Sequence, residues 1–272
     1  MEQENKTKKQ TISIVIAAKN EEKMISNCLD AVKQWANEII IIDNGSSDKT
    51  VDICKKYTRK IYSYDQKVLI PLLQNIGIQK ATKDWVLILD ADVIVPKEAA
   101  TEIKKKIQQE QYDGYYLPHK TYIMGKFMDS PFWTFDILKL FRREMGSFAG
   151  KNAHESLTFT GKVGKIENPL LHYSHPSLEL EIKKINLYSS QDAQILARGE
   201  LGGLLKRKIK RVGLSSLFML PICYFFYLFI YRNGYRDGIH GFIVDMNMAF
   251  YIFLEGAKAW ELELRKYLSN HT

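Results

Sequence analysis

The run Val86-Leu87-Ile88-Leu89-Asp90-Ala91-Asp92 closes a stretch of apolar residues with two carboxylates separated by one small residue. Carboxylates at i and i+2 of an extended chain point to one face, so Asp90 and Asp92 can engage one hard cation. Magnesium or manganese held this way keeps several waters and bridges to a diphosphate, whose charge it neutralises. A lone Asp-x-Asp is common, but two other polar, acid-bearing loops precede this one. They are Ala17 to Glu22 (AAKNEE) and Asp43 to Asp48 (DNGSSD). The second also reads as a plain turn followed by a helix cap, given the turn preferences of its residues.

Each of the three loops follows a β-branched, strand-like run: Ile12 to Ala17, Glu38 to Ile42 and Trp85 to Leu89. Between them lie helical stretches. Met24, Ile25, Cys28, Leu29 and Val32 recur at helical spacing, with Asn20 placed to cap them. Val51 to Tyr57 and Leu72 to Ala81 read as two more helices, with a short strand at Lys60 to Tyr64. Near-continuous apolar strands alternating with helices predict a parallel sheet covered on both faces. Ligands in such sheets bind beyond the carboxyl ends of the strands, which is where all three loops fall.

Composition bounds the rest. A chain of 272 residues with 46% hydrophobic and 26% charged residues is ordinary for a globular protein, which excludes disordered and fibrous classes. Cys28, Cys54 and Cys223 are odd in number and widely spaced, offering neither metal spacing nor a disulfide framework, as in a reducing compartment. Met1 to Gln10 is polar and lysine-bearing, so a disordered tail and no secretory leader are expected there. The net charge of +8 invites nucleic acid, phosphorylated small molecules or an anionic membrane.

The motifs Ile14 to Glu22 (IVIAAKNEE), Ile39 to Thr50 (IIIIDNGSSDKT) and Val86 to Asp92 (VLILDAD) together resemble family 2 inverting glycosyltransferases of the GT-A fold. The similarity continues through Arg142-Arg143, Ala153-His154-Glu155 and Leu171 to His175, with an echo at Tyr235-Arg236-Asp237-Gly238. Within the family the set is most similar to the bacterial lipopolysaccharide-core glucosyltransferase branch. The resemblance implies an α/β GT-A fold with a mostly parallel central sheet over residues 11–198, followed by a helical, membrane-associating region over 199–272.

Residue by residue, it places Ala17, Lys19 and Glu21 along the donor nucleoside, with Asp43 on the base. Asp90, Ala91 and Asp92 form the metal and diphosphate motif, Asp92 being the direct ligand. Asn75 sits near the donor, next to Gln74, which stands where the family carries a basic residue. Ala18-Lys19 replaces a common Thr-Tyr, which removes aromatic stacking on the base, and Asn44 replaces a second aspartate. Glu155 occupies the position of the catalytic carboxylate. An inverting transfer needs such a base, because the acceptor hydroxyl loses its proton as it attacks the anomeric carbon. Without the resemblance, His154-Glu155 reads as a surface loop pair; His154 is assigned an orienting role. His172 is favoured over His175 as a nitrogen ligand to the Mg2+ or Mn2+ ion. Arg142 or Arg143 complements donor phosphates, and only one of the two can point inward from a strand. Phe132-Trp133-Thr134-Phe135-Asp136 either stacks on sugar or packs a core.

The last third changes in kind. Lys206-Arg207-Lys208-Ile209-Lys210-Arg211 is followed by Leu214 to Tyr231, eighteen residues without a charge. That length is at the lower edge of a bilayer span. Pro221 and the aromatic crowd Tyr224, Phe225, Phe226, Tyr227, Phe229 and Tyr231 favour an interfacial helix over a span, and a buried core helix is the plain alternative. The basic run suits an anionic cytoplasmic leaflet, at roughly 1 kcal/mol per cation. No nucleic-acid readout motif is present. Phe242 to Leu268 reads as a long amphipathic helix that packs on the membrane element or on a second chain.

The expected protein is therefore a metal-dependent inverting glycosyltransferase. It uses a nucleotide sugar, UDP-linked, and a lipid-linked or saccharide acceptor. It lies peripherally or monotopically on the cytoplasmic face of a bacterial inner membrane. The rival readings are a peptide or protein glycosyltransferase of the same fold, and a nucleotide-binding, membrane-docked module without catalysis.

Overall fold

The computed structural model describes residues 9–64, 68–109, 111–148, 157–175, 177–200, 203–205 and 213–270. In chain order the first elements are β1 (Ile12–Ala18), α1 (Ile25–Val32), β2 (Glu38–Asp43), α2 (Thr50–Cys54), β3 (Ile61–Ser63), α3 (Ile70–Lys80) and β4 (Trp85–Asp90). They are followed by β5 (Val93–Ile94), α4 (Lys97–Lys106), β6 (Gly114–Ile123), β7 (Lys126–Phe127), β8 (Thr134–Arg142), β9 (Gly146–Ser147), β10 (Thr158–Phe159), β11 (Val163–Lys165) and β12 (Leu170–His175). Helices α5 (Leu178–Ala197), α6 (Leu214–Phe226) and α7 (Ile239–Ser269) finish the chain. A π-helical turn, Tyr227–Tyr231, and a 3-10 turn, Gly234–Asp237, separate the last two.

The elements form two compact units. The first comprises the chain through Lys120 together with Phe135–Tyr173, and carries the sheet in the order β3-β2-β1-β4-β8-β6-β12-β5. β3, β2, β1 and β4 run parallel, as the strand–helix alternation predicts. The mostly parallel sheet does not extend further. β8 lies antiparallel to β4 and β12 antiparallel to β5, so the sheet is mixed. Alternate residues of β1 divide the core. Ile12, Ile14 and Ile16 pack with α1 and α4, while Val15 joins Ile40, Ile42, Val86 and Ile88 under α3. At Gly77, a Cβ would lie 2.2 Å from Val15 Cγ1, so glycine lets α3 approach the sheet this closely.

The second unit comprises Thr121–Thr134 and Ser174–Thr272. The boundary expected after residue 198 thus falls inside it, because α5 packs on α7. Ala193 and Leu196 meet Ala259, Tyr251 donates to Asp192 at 2.5 Å, and Lys258 donates to the Asn186 carbonyl and the Ser189 hydroxyl. Phe132 and Trp133 pack against Met128 and Val244 in this unit, which gives that half of the aromatic patch its core reading. Among the described residues no helix is long and apolar enough to cross a membrane. Cys28 and Cys54 are buried and Cys223 is exposed.

Candidate active site

Strand register assembles the first part of the site. Ala17 pairs with Ile42 on one side and Asp90 on the other, and Ala18 pairs with Asp43. The carboxyl ends of β1, β2 and β4 are therefore level. Reciprocal hydrogen bonds then join the two loops that follow β1 and β2. The Asn20 backbone N–H donates to the Ser46 hydroxyl, and Ser47 N–H donates back to Asn20 Oδ1 at 2.8 Å. Glu21 N–H donates to Thr50 Oγ1 at 2.7 Å, and Lys49 N–H donates to the Glu22 carboxylate. Asn20 does this with a φ of 56°, so it clamps loops and does not cap α1, which starts at Ile25 behind Met24 without a side-chain cap. Asp43 is buried and accepts Ser46 N–H at 3.2 Å, which fixes the turn; Lys19 stays exposed.

The two aspartates each face a cation or a potential one. Lys139 Nζ lies 2.5 Å from Asp90 Oδ2, and His172 Nε2 lies 3.4 Å from Asp92 Oδ1. Ala91 between them is buried. The β4-β8-β6-β12 neighbourhood explains the convergence, since Lys139 stands on β8, His119 on β6 and His172 on β12. β5 pairs with His172 and Leu171, which draws β12 to the residues just after Asp92. Phe135 and Lys139, four apart on β8, share a face. The His119 ring stacks on Phe135 at 5.5 Å and 5°, and His172 meets both edge-on.

The electrostatics follow from burial and these pairings. Burial pushes the Asp90 carboxyl up, but the Lys139 ammonium outweighs it and holds the group below its ordinary value. His119 is 2% exposed, and burial, reinforced by Lys139, lowers its pKa to about 4, so the ring stays neutral. Its Nδ1 pairs with the Leu117 carbonyl at 3.0 Å, while its Nε2 and the Nδ1 of His172 are buried without a hydrogen-bond partner. Burial, with Asp92 and Asp90 nearby, pushes the Cys28 thiol well above its ordinary value, so it remains protonated. Among the described residues no group of three or more His, Cys, Asp or Glu could hold a metal ion. Asp92 and His172 supply two donors.

Other expected residues go elsewhere. Arg142 pairs with Trp85 at the amino end of β4, five residues from Asp90, and is therefore removed from the carboxyl-end site. It rests over the Trp85 ring and bonds Asp113 at 3.3 Å. Asn75 donates to the Phe148 carbonyl at 2.6 Å and accepts Phe148 N–H at 2.8 Å. Its amide thus holds the backbone of Phe148, just after β9. Glu155 and His154 lie outside the described residues, as does the side chain of His175. Lys139 and His119 escaped sequence reasoning. The alternation Phe135-Ile137-Lys139 marks one face of a strand, but only the sheet order reveals that this face meets Asp90.

The sequence profile of glycosyl transferase family 2 matches residues 13–165. A glycosyltransferase of Rickettsia conorii is 29% identical across 96% of this chain and 94% of its own. A lipopolysaccharide core biosynthesis glycosyltransferase of Rhizobium meliloti is 27% identical across 95% of each chain. Among solved structures, glucosyl-3-phosphoglycerate synthase from Mycobacterium tuberculosis, crystallised with Mg2+ and UDP, is 20% identical over 42% of this chain and 44% of its own, with a TM-score of 0.35. The family match runs from β1 through β11 and takes in the loops that carry Asp43, Asp90 and Asp92: the chain belongs to glycosyl transferase family 2.

Proposed function

We propose that this glycosyltransferase moves a sugar from a UDP-sugar to a lipid-linked or saccharide acceptor of the bacterial cell envelope, with inversion and with help from Mg2+ or Mn2+. The observation that carries the reading is the pair of opposed contacts, Asp90 with Lys139 and Asp92 with His172, at the level carboxyl ends of parallel strands. The envelope acceptor is supported by the full-length similarity to the Rhizobium meliloti core enzyme.

The donor set suits a divalent ion shared with a substrate. One carboxylate oxygen and one imidazole nitrogen stand 3.4 Å apart, while Asp90 is already neutralised by Lys139. Asp92 and His172 would hold the ion, with waters and the diphosphate completing its shell. When bound, such an ion offsets the charge that develops on the leaving diphosphate. Lys139 adds a fixed positive charge from β8, and Phe135 with neutral His119 forms an apolar wall that limits water beside it. In the transfer step the acceptor oxygen bonds to the anomeric carbon as the carbon–diphosphate bond breaks. The acceptor proton passes to the Glu155 carboxylate.

The test is calorimetric titration of UDP with and without Mn2+, paired with product analysis over a panel of nucleotide sugars and a membrane lipid extract. Mn2+ should tighten UDP binding at least tenfold in the unaltered protein. Asp92→Asn and His172→Ala should abolish that gain and lower transfer a hundredfold or more. UDP affinity that ignores both chelator and Asp92→Asn would remove the metal from this reading.

A further inference from the structure

Along α6 and α7, as far as residue 254, the second unit buries its acids and exposes many apolar side chains. Between residues 213 and 254 the acids are Asp237 and Asp245, and both are buried, at 2% and 1% exposure. The exposed positions are Phe218, Phe226, Ile230, Tyr231, Ile239 and Phe250, among others, with Phe218 at 63% and Tyr231 at 74%. The same stretch contains two arginines, Arg232 and Arg236, and Arg236 is exposed. Solvent thus meets a large apolar face whose accessible charge is positive. A contiguous exposed apolar face marks a contact surface.

We propose that the α6–α7 face docks on an anionic bilayer and lies in the headgroup region without crossing it. Four observations select this occupant. The sign of the accessible charge suits anionic lipid. A second copy packed through the same stretch, 213–254, would instead set Arg236 against a surface with no exposed acid, and Glu261 further along α7 is already paired with Arg265. Tyr227, Tyr231 and Tyr235 cluster where α6 gives way to the following turns, and tyrosine prefers the membrane–water boundary because it is apolar in body and polar at the tip. No described helix is long and apolar enough to span. Finally, α6 and α7 flank an open groove of about 490 Å3, lined by Phe218, Ile222, Phe225, Met246, Phe250 and Phe253. Acyl chains can fill such a groove while the helices stay parallel to the surface.

This inference is independent of the donor site, and its test separates the two. The full-length protein is mixed with phosphatidylcholine vesicles with and without phosphatidylglycerol, and bound protein is measured by co-sedimentation. Binding should be at least tenfold tighter to the anionic vesicles and should weaken as salt rises, because the electrostatic part is screened. Arg236→Gln should weaken it about fivefold, the share of one interfacial cation. Phe218→Ser combined with Phe226→Ser, both exposed and so tolerated by the fold, should reduce it tenfold or more while UDP affinity stays unchanged. The proposal would be overturned by no vesicle binding at low salt, by equal binding to neutral and anionic vesicles, or by a dimer that the double variant converts to monomer without any vesicle association. Release from membranes only by detergent, indifferent to salt and to Arg236→Gln, would overturn it in favour of a span.

Discussion

Lys139 and Asp90 come together from residues 49 apart, and their pairing divides the labour of the two aspartates. In the proposed reaction Asp90 is neutralised, and Asp92 and His172 are the pair left to meet a cation and a diphosphate. Lys139→Met should therefore cut kcat/KM at least tenfold, whereas Lys139→Arg, which keeps the charge, should retain most of it; steady-state kinetics with a fixed acceptor decide. A purely packing role would instead leave both variants alike. The Asp90-Ala91-Asp92 motif and the Asp43 loop were legible because an apolar run ending in acids is a local pattern. Lys139 and His119 were not, because their meaning depends on β8 and β6 lying next to β4 in the sheet. That Arg142 falls at the amino end of β4 was hidden for the same reason. An antiparallel neighbour reverses which end of the strand faces the site, and no local pattern announces the reversal.

The elements themselves were read with small shifts: α3 starts at Ile70, before the expected Leu72, and α2 ends at Cys54, before the expected Tyr57. Less legible was what anchors β2. Glu38, at its first residue, accepts from the Ser13 hydroxyl, from Thr82 N–H at 2.8 Å and from the Thr82 hydroxyl, and pairs with Lys60. Burial alone would raise its carboxyl, yet Lys60, Ser13 and Thr82 bring it down to about 2. A carboxyl lowered in the folded state contributes stability above its ordinary value of 4.5, and that contribution fades as pH falls toward 2. Glu38→Gln should cost about 1–2 kcal/mol at pH 7 and progressively less below pH 4, measured by urea unfolding. From sequence, Glu38 looked like the polar edge of a strand. Its partners come from β1, the residue before β3 and the turn after α3, and only the parallel order gathers them.

For the molecule as a whole, the division into two units departs furthest from a linear reading, since Thr121–Thr134 leaves the first unit to join the helices. Asp237, from the sequence echo at Tyr235 to Gly238, secures that excursion by accepting Asp129 and Ser130 N–H, both at 2.9 Å, and by pairing with Lys126. Beside it Asp245 is buried, and its Oδ2 lacks a hydrogen-bond partner. Burial, joined by repulsion from Asp237, raises its carboxyl to about 7, although the Trp133 indole works against this. As pH rises from about 4 to 7 the unfolded chain ionises at this position while the folded unit keeps its proton, so stability falls over that range and the penalty is complete above it. Asp245→Asn should remove the slope, leaving the variant about 1–3 kcal/mol more stable than the unaltered chain at pH 8 and close to it at pH 4 in thermal or urea melts. The distribution of thiols has a practical consequence. Cys28 and Cys54 are sealed in the first unit, while Cys223 opens to solvent on α6, within the apolar face. A thiol-reactive dye or spin label will therefore tag one helix of the native sequence. The unaltered protein carries a built-in reporter whose colour, accessibility or relaxation records what that helix touches.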